Sequence, residues 1–438
     1  MLQNIDKIFE ILLYPFIFLS IYFQVFMLYN FLSNKKKMNS EEDIVQDYFP
    51  SVTFLLPGWN ESKNIATTIK SIQDLNYPKD KIEIFYLDNN STDNTKEIVE
   101  SFMYKKDINT GEILEDLDTR IKYIFESKQG KHHAMNTGLS QVKTDLVACL
   151  DVDSTLHVNA MSIAAQYFKD DNISALASCM QLRDVRTIWQ RAQAVEYMLS
   201  IFWRKAYSAI DAIQVMPGPF SVFRKRVFDE LGEYKSAHNA EDFEMTLRLH
   251  KNHYRIANAH KAYVYTVGPD TLRGLLKQRV RWIRGFLENA WDYREMFFKK
   301  KYGHFGMFTL PVAAVFIFYV LYAITFTVIK TSQILYIKIN NYLAIGLHFP
   351  NIRNINFDPF YITTDIFLVQ TIFIFTILGV VLVVSRKMAD NKSPIMLNFL
   401  VYVLIYPFVS PIFLFVAVYK FLFRSENKWL MQDNKIVK

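Results

Sequence analysis

The 438-residue sequence predicts an α/β domain on a mostly parallel sheet, inserted between apolar helices of membrane-spanning length. Three observations carry this expectation. Apolar residues crowd at the two ends of the chain. The middle alternates short aliphatic runs with segments whose apolar residues recur at helical spacing. Each strand-like run ends in a cluster of polar residues, which is where ligands bind in sheets of this kind.

Hydrophobic residues make up 51% of the chain, with 37 Phe and 25 Tyr. A formal charge of +7 suits a cytoplasmic membrane face or an anionic substrate. It is too weak for nucleic-acid binding. Cys149 and Cys179 both lie in apolar stretches and read as buried thiols, not as a disulfide or a metal site.

The chain divides into residues 1–44, 45–268, 269–303 and 304–438. The first block holds an apolar run at about 8–32, long enough to cross a bilayer and too long for a signal peptide. Lys35, Lys36 and Lys37 follow, so the positive-inside rule places the next domain in the cytoplasm and the chain in a plasma or inner membrane. In the last block, about 305–329 and 366–385 each read as a span. Lys299–Lys301 and Arg386-Lys387 then fall on the cytoplasmic side. The stretch at about 395–423 is ambiguous. A single span would carry Lys420, Arg424 and Lys428 outside, against the charge rule, whereas Pro407 and Pro411 would permit a re-entrant element.

Within 45–268, Val52–Leu56, Ile82–Leu87 and Leu146–Leu150 read as strands, and Ile65, Ile69 and Ile72 as a helix face. The first strand leads into Pro57-Gly58-Trp59-Asn60-Glu61, the second into Asp88-Asn89-Asn90-Ser91-Thr92-Asp93, and the third into Asp151-Val152-Asp153. Singly, each is ordinary turn and cap chemistry. Asp151 and Asp153, two apart in an extended stretch, would point the same way and repel unless a cation compensates them. A divalent metal shared with a nucleotide diphosphate would do so; two carboxylates capping a helix near Val158 is the plainer alternative.

Three further segments stand out. Gly130–Asn136 combines a glycine that permits close backbone approach with Lys131, a phosphate or base contact, and with His132 and His133, which read as a helix start because adjacent helical positions diverge. Glu241 and Asp242 open a helical stretch, where acids suit the macrodipole; either is also a candidate general base for a sugar hydroxyl. Gln278-Arg279-Val280-Arg281-Trp282 follows an apolar stripe of Leu272, Leu275 and Leu276. A basic helix on the membrane surface explains the arginines, and Arg281 also suits a diphosphate, with Trp282 a face for a sugar ring.

In this order the motifs resemble the membrane-type family 2 inverting glycosyltransferases, and among them the poly-N-acetylglucosamine, chitin, hyaluronan and cellulose synthases. The resemblance covers about 50–300 and the flanking membrane segments. It implies a GT-A nucleotide-sugar-binding fold, in which Asp88, Lys131 and Asp151 bind the donor. Asp153 would bind the donor through a metal, Mg²⁺ or Mn²⁺. Asp242, beside Glu241, would be the general base. Gln278, Arg281 and Trp282 would line the diphosphate and acceptor sites, and Gly218 resembles an acceptor-side loop. The implied reaction moves a sugar from a nucleotide-sugar, UDP-N-acetylglucosamine or another UDP-hexose, onto a growing β-linked glycan. Addition of one sugar to a lipid-linked acceptor is the alternative. Membrane lipids and an accessory export subunit are the implied partners. The chain departs from the family pattern at Gly58-Trp59, at Asn89 and at Ala240.

Overall fold

The computed structural model describes residues 2–33, 46–107, 110, 112–346, 366–390 and 394–423. Lys35–Lys37, Arg424 and Lys428 lie outside the described residues. The strands are β1 Val52–Gly58, β2 Ile82–Asp88, β3 Tyr104–Lys106, β4 Ile113–Asp116, β5 Ile121–Phe125, β6 Leu146–Leu150, β7 Thr155–Leu156, β8 Ile173–Leu182, β9 Phe220–Arg224 and β10 Arg255–Thr266. The α-helices are α1 Leu2–Ser33, α2 Ile65–Gln73, α3 Thr95–Met103, α4 Lys131–Leu139, α5 Ala160–Tyr167, α6 Ile188–Ser208, α7 Lys225–Leu231, α8 Glu241–Lys251, α9 Leu272–Asp292, α10 Leu310–Ile345, α11 Ile366–Met388 and α12 Ile395–Leu422.

Eight strands form one sheet in the order β5-β2-β1-β6-β9-β8-β10-β7. Side chains alternate across it as a pleated strand requires. Val52, Phe54, Leu56, Ile84, Tyr86 and Ala148 pack on one face under α2, α3 and α5. Leu55, Phe85, Leu87, Val147 and Cys149 pack on the other under α4, α7 and α8. The register pairs Gly58 with Asp88 and Leu55 with Cys149, so the carboxyl ends of β1, β2 and β6 open at one edge.

The sheet is mixed, not mostly parallel. β5, β2, β1 and β6 run parallel. β9 is antiparallel to both β6 and β8, and β7 to β10. The chain passes from β8 through the long helix α6 and re-enters the gap between β6 and β8 from the opposite end.

α6 joins the domain to the apolar helices. Phe202 is fully buried, 4.7 Å from Phe31 of α1, and Phe23 of α1 stacks on Trp203. The same cluster takes in Ile377, Val381 and Leu382 of α11. Tyr14–Ser33, Phe305–Ala344 and Ile395–Leu422 are long and apolar enough to cross a membrane. The second extends well past Ile329, because Lys330 and Lys338 are good helix formers that do not interrupt it. α12 is one continuous helix through Pro407 and Pro411, not a broken hairpin. It touches the domain along its length: Asn398 accepts from Arg191, and Tyr406, Phe413, Leu414 and Ala417 pack with Ala192, Leu275 and Val280.

Phe202→Ala is expected to lower stability by about 3–5 kcal/mol, because the cavity opens between two elements that cannot both collapse into it. Thermal melting in detergent checks this.

Candidate active site

The polar loops at the open edge are tied to each other before they hold any ligand. Asn60, in a left-handed conformation at φ 56°, accepts from Thr92 N at 2.7 Å and donates its own N–H to Ser91 Oγ. Asp88, almost fully buried, accepts from Ser91 N and, at 2.7 Å, from Tyr123 Oη. Asn89 uses both ends of its amide. It donates to Lys128 O and accepts from Gly130 N, each at 2.7 Å. A carboxylate cannot do both, which accounts for Asn at a position where the resembled family commonly has Asp. Asn89 thereby sets the loop that starts α4, with Lys131 as its first residue.

Asp151 and Asp153 are not in an extended stretch. β6 ends at Leu150, and Ser154 N donates to Asp151 O at 3.0 Å to close a turn. The expected repulsion is nevertheless present, and a protein cation relieves half of it. Lys131 Nζ lies 2.9 Å from Asp151 Oδ1 and 2.9 Å from Glu241 Oε1. Burial pulls the Lys131 proton affinity down, but the two carboxylates outweigh it and hold the ammonium charged. Its side chain is still 40% accessible, so the pairs form the floor of an open cleft. Asp153 has no such partner. Burial first, then the Asp151 charge, push its carboxyl up to about 6, against Ser154 Oγ, which donates to it. Glu61, a turn residue by sequence, belongs to the same cluster. Burial raises its carboxyl, and Asp151 and Asp93 add to the rise.

Glu241 and Asp242 open α8 side by side but differ in proton affinity. Burial raises Glu241, but Lys131 and then Arg281 outweigh it, and the carboxyl titrates below its usual range. Burial and the adjacent Glu241 charge push Asp242 up to about 6. Two neighbouring carboxyls driven apart in this way are suited to different tasks. Gly218 faces both halves of the site: a methyl group there would lie 3.3 Å from Asp151 Oδ2 and 3.5 Å from Asp242 Oδ2. Asp151, Gly218, Lys131, Glu241 and Asp242 are thus brought together around one cleft.

Gln278, Arg281 and Trp282 lie on α9, capped by Thr271, whose Oγ1 accepts from Gly274 N. Arg281 reaches the Glu241 side, 3.5 Å from Asn239 O. The contacts of Gln278 and Trp282 run instead to Arg279, a residue with no assigned role by sequence. Arg279 donates to Gln278 Oε1 at 2.9 Å and to Glu196 Oε2 at 2.6 Å, and covers one face of the Trp282 ring at 4.2 Å. Tyr406 of α12 also donates to Glu196. The signal was available: Arg279 continues the stripe of Leu272, Leu275 and Leu276, so it had to be buried, and a buried guanidinium needs a carboxylate. Trp282 is 37% exposed.

Among the described residues, no group of three or more His, Cys, Asp and Glu is arranged to hold a metal alone. His132 and His133 follow Lys131 in the first turn of α4, with their rings tilted at 39° and centroids 4.0 Å apart. Asp153, with Asp151 beside it, fits a cation whose other oxygen ligands come from a substrate.

A sequence profile described as Glycosyltransferase like family 2 matches residues 50–285, more than half of the chain. The chain belongs to this family. A poly-beta-1,6-N-acetyl-D-glucosamine synthase of Staphylococcus aureus is 31% identical over 283 residues, 64% of this chain and 65% of that protein. The match therefore spans just under two thirds of that relative's length. A synthase of the same name from Staphylococcus epidermidis is 29% identical over 334 residues, 74% of this chain and 77% of its own. Among solved structures, a mannosyltransferase of Pyrobaculum calidifontis in complex with GDP-Man and Mn²⁺ superposes with a TM-score of 0.56 at 17% identity. The match covers 93% of this chain and 99% of that one. The fold is the GT-A type expected from the motifs.

Two stability outcomes follow from the charges. Asp242 holds its proton to about 6 when folded, against 3.8 ordinarily. Between these values the folded chain keeps a proton the unfolded chain has released, so stability falls as pH rises to about 6 and stays lowered above it. Asp242→Asn is expected to gain on the order of 1–2 kcal/mol at pH 7.5 and nothing near pH 4, read by thermal melting. For the second, Glu196 is one-third accessible while Arg279 is almost wholly buried. Glu196→Ala strands a buried cation and should cost about 3 kcal/mol; Arg279→Met leaves a carboxylate that water can reach and should cost about 1 kcal/mol.

Proposed function

We propose that the chain is an integral membrane glycosyltransferase whose cytoplasmic domain transfers a sugar from UDP-N-acetylglucosamine, or another UDP-hexose, to a growing β-linked polysaccharide. The observation that carries this is the split pair Glu241 and Asp242 in a cleft shared with Asp151 and Lys131. The named activity of the staphylococcal relatives supports the sugar and the polymer. Lys35–Lys37 after the first apolar helix support the cytoplasmic placement, and the reading divides the chain into 1–44, 45–268, 269–303 and 304–438.

Asp242 accepts the proton of the acceptor hydroxyl. With an affinity of about 6 it is ionised at neutral pH yet basic enough to share that proton in the transition state. Glu241, kept ionised by Lys131, holds the lysine in place beside Asp151. Asp88 and Lys131 take the nucleotide, and Arg281 faces the diphosphate from α9. Asp153 would hold a divalent cation, Mg²⁺ or Mn²⁺, which would supply charge stabilisation for the departing nucleotide. The open face of Trp282, Gly218 and the adjoining loop take the acceptor sugar. Attack opposite the leaving group converts an α-linked donor into a β-linkage. Lipids around α1, α10 and α12, and an accessory export subunit, are the remaining partners of this reading.

The test is nucleotide release by the purified protein in nanodiscs from a panel of UDP- and GDP-sugars with Mg²⁺ or Mn²⁺. Release from UDP-N-acetylglucosamine is expected, with kcat falling about tenfold per pH unit below about pH 6, and Asp242→Asn lowering kcat by roughly 10³-fold. Normal turnover by that variant removes Asp242 from the base role. A product of one added sugar on a lipid acceptor, in place of a polymer, replaces the polysaccharide reading.

A further inference from the structure

The segment that delivers Asp242 is strained. Ala237, His238 and Asn239, three consecutive residues other than glycine, stand at φ 44°, 55° and 63°. Single left-handed residues outside glycine are uncommon, and such conformations persist only where the surroundings over-determine them. Here the surroundings are one face of α9. Residues 281, 285, 289 and 292 are spaced by four, four and three, which on an α-helix puts them on a single stripe.

Each residue of that stripe grips the turn. Arg281 Nη1 donates to Asn239 O at 3.5 Å. Gly285 lets the helix come so close that a methyl group there would sit 2.6 Å from Ala240 Cβ. Asn289, 1% accessible, donates to Ala237 O at 2.9 Å, and also to Gly285 O at 2.8 Å within its own helix. Asp292 Oδ2 pairs with His238 Nε2 at 2.9 Å, with Glu288 Oε2 3.6 Å from His238 Nδ1. Asn289 and Ala237 are buried, while His238 and Asp292 close the clamp at the surface. Beside Ala240 there is no room for a side chain at position 285, so the close approach requires the glycine.

We propose that Asn289, His238 and Asp292 are positioning residues for the reaction: they clamp the left-handed turn to α9, and so fix the base Asp242 relative to Arg281 on the same helix. None of the three touches substrate. The inference rests on the base and leaving-group roles proposed above. Its physical content is that the helix facing the diphosphate also sets the position of the base. Loss of the clamp lets the turn relax to ordinary conformations, so the base is displaced while the nucleotide contacts remain.

The experiment uses the full chain in nanodiscs and separates kcat from donor KM. Asn289→Ala is expected to lower kcat about 30-fold or more, and His238→Ala and Asp292→Ala about fivefold each, with donor KM and UDP affinity within about twofold of the parent. His238→Ala/Asp292→Ala should be no worse than His238→Ala alone, because the Asp292 contact is already lost with the histidine. Asp292→Asn, which keeps an acceptor, should restore kcat. If Asn289→Ala does not fold, the two surface variants carry the test. Parental kcat in the surface variants and in any folded Asn289→Ala, with Asp242→Asn inactive, overturns the clamp. Activity in Asp242→Asn instead overturns the base assignment on which it rests. Fully additive losses, or losses confined to KM, also overturn the proposal.

Discussion

The cleft depends on one ammonium group. Lys131 stands between Asp151, from the end of β6, and Glu241, from the start of α8, at 2.9 Å from each. These carboxylates come from segments 90 residues apart in sequence, and without a cation between them the two elements would repel across the cleft. The position of Lys131 in turn depends on Asn89, whose amide anchors Gly130 N. The β2 loop, the start of α4, the β6 turn and the start of α8 are therefore one electrostatic unit. Its excess negative charge is shed unevenly: Glu241 stays ionised, and Asp153 and Asp242 are held near 6. That unevenness is what lets similar side chains do different chemistry within a few ångströms.

α9 is the second organising element. Its three faces meet three environments. One carries Arg279 into the Glu196 and Tyr406 network against α6 and α12. A second, along 281, 285, 289 and 292, holds the turn ahead of Asp242. The third exposes Trp282. The guanidinium of Arg279 is also what supports the Trp282 ring from below. An element touching the turn ahead of Asp242, the proposed acceptor platform and an apolar helix together cannot shift against one of them without disturbing the others.

Much of this was legible in the sequence, and the boundary has a physical cause. Strands β1, β2 and β6 are short, aliphatic and buried on both faces, so their runs are continuous and end abruptly in polar residues. Asp88, Asp151 and Asp242 were found because they sit at those ends or at a helix start. β8 and β10 were missed because Ser, Cys, Gln, Asn and His interrupt their apolar pattern, as in Ser178, Gln181, Asn258 and His260, which become buried only through tertiary contacts. The antiparallel strand β9 was missed although Pro217-Gly218-Pro219 marks its start, because it runs straight into the helix at Lys225 and its five residues resemble any short apolar run. Arg279 was hidden by its neighbours, since a basic motif draws attention to the exposed arginine and not to the one on the apolar stripe.

The clamp on Asp242 could not have been read from the chain at all. A run of three consecutive left-handed residues has no sequence signature here, because Ala237 disfavours that backbone and His238 visits it only occasionally. It exists only because Asn289, His238 and Asp292 supply contacts from elements that are adjacent in space. Such a conformation is costly, and a relaxed turn with the same side chains would be more stable locally. A sequence selected for stability alone would place glycine or asparagine at all three positions; here only Asn239 conforms. The cost is borne where the proposal needs a single carboxylate held in place, between the helix that carries Arg281 and the helix that carries Asp242. That is the physical argument for treating the turn as part of the catalytic apparatus and not as a connection between strands and helices.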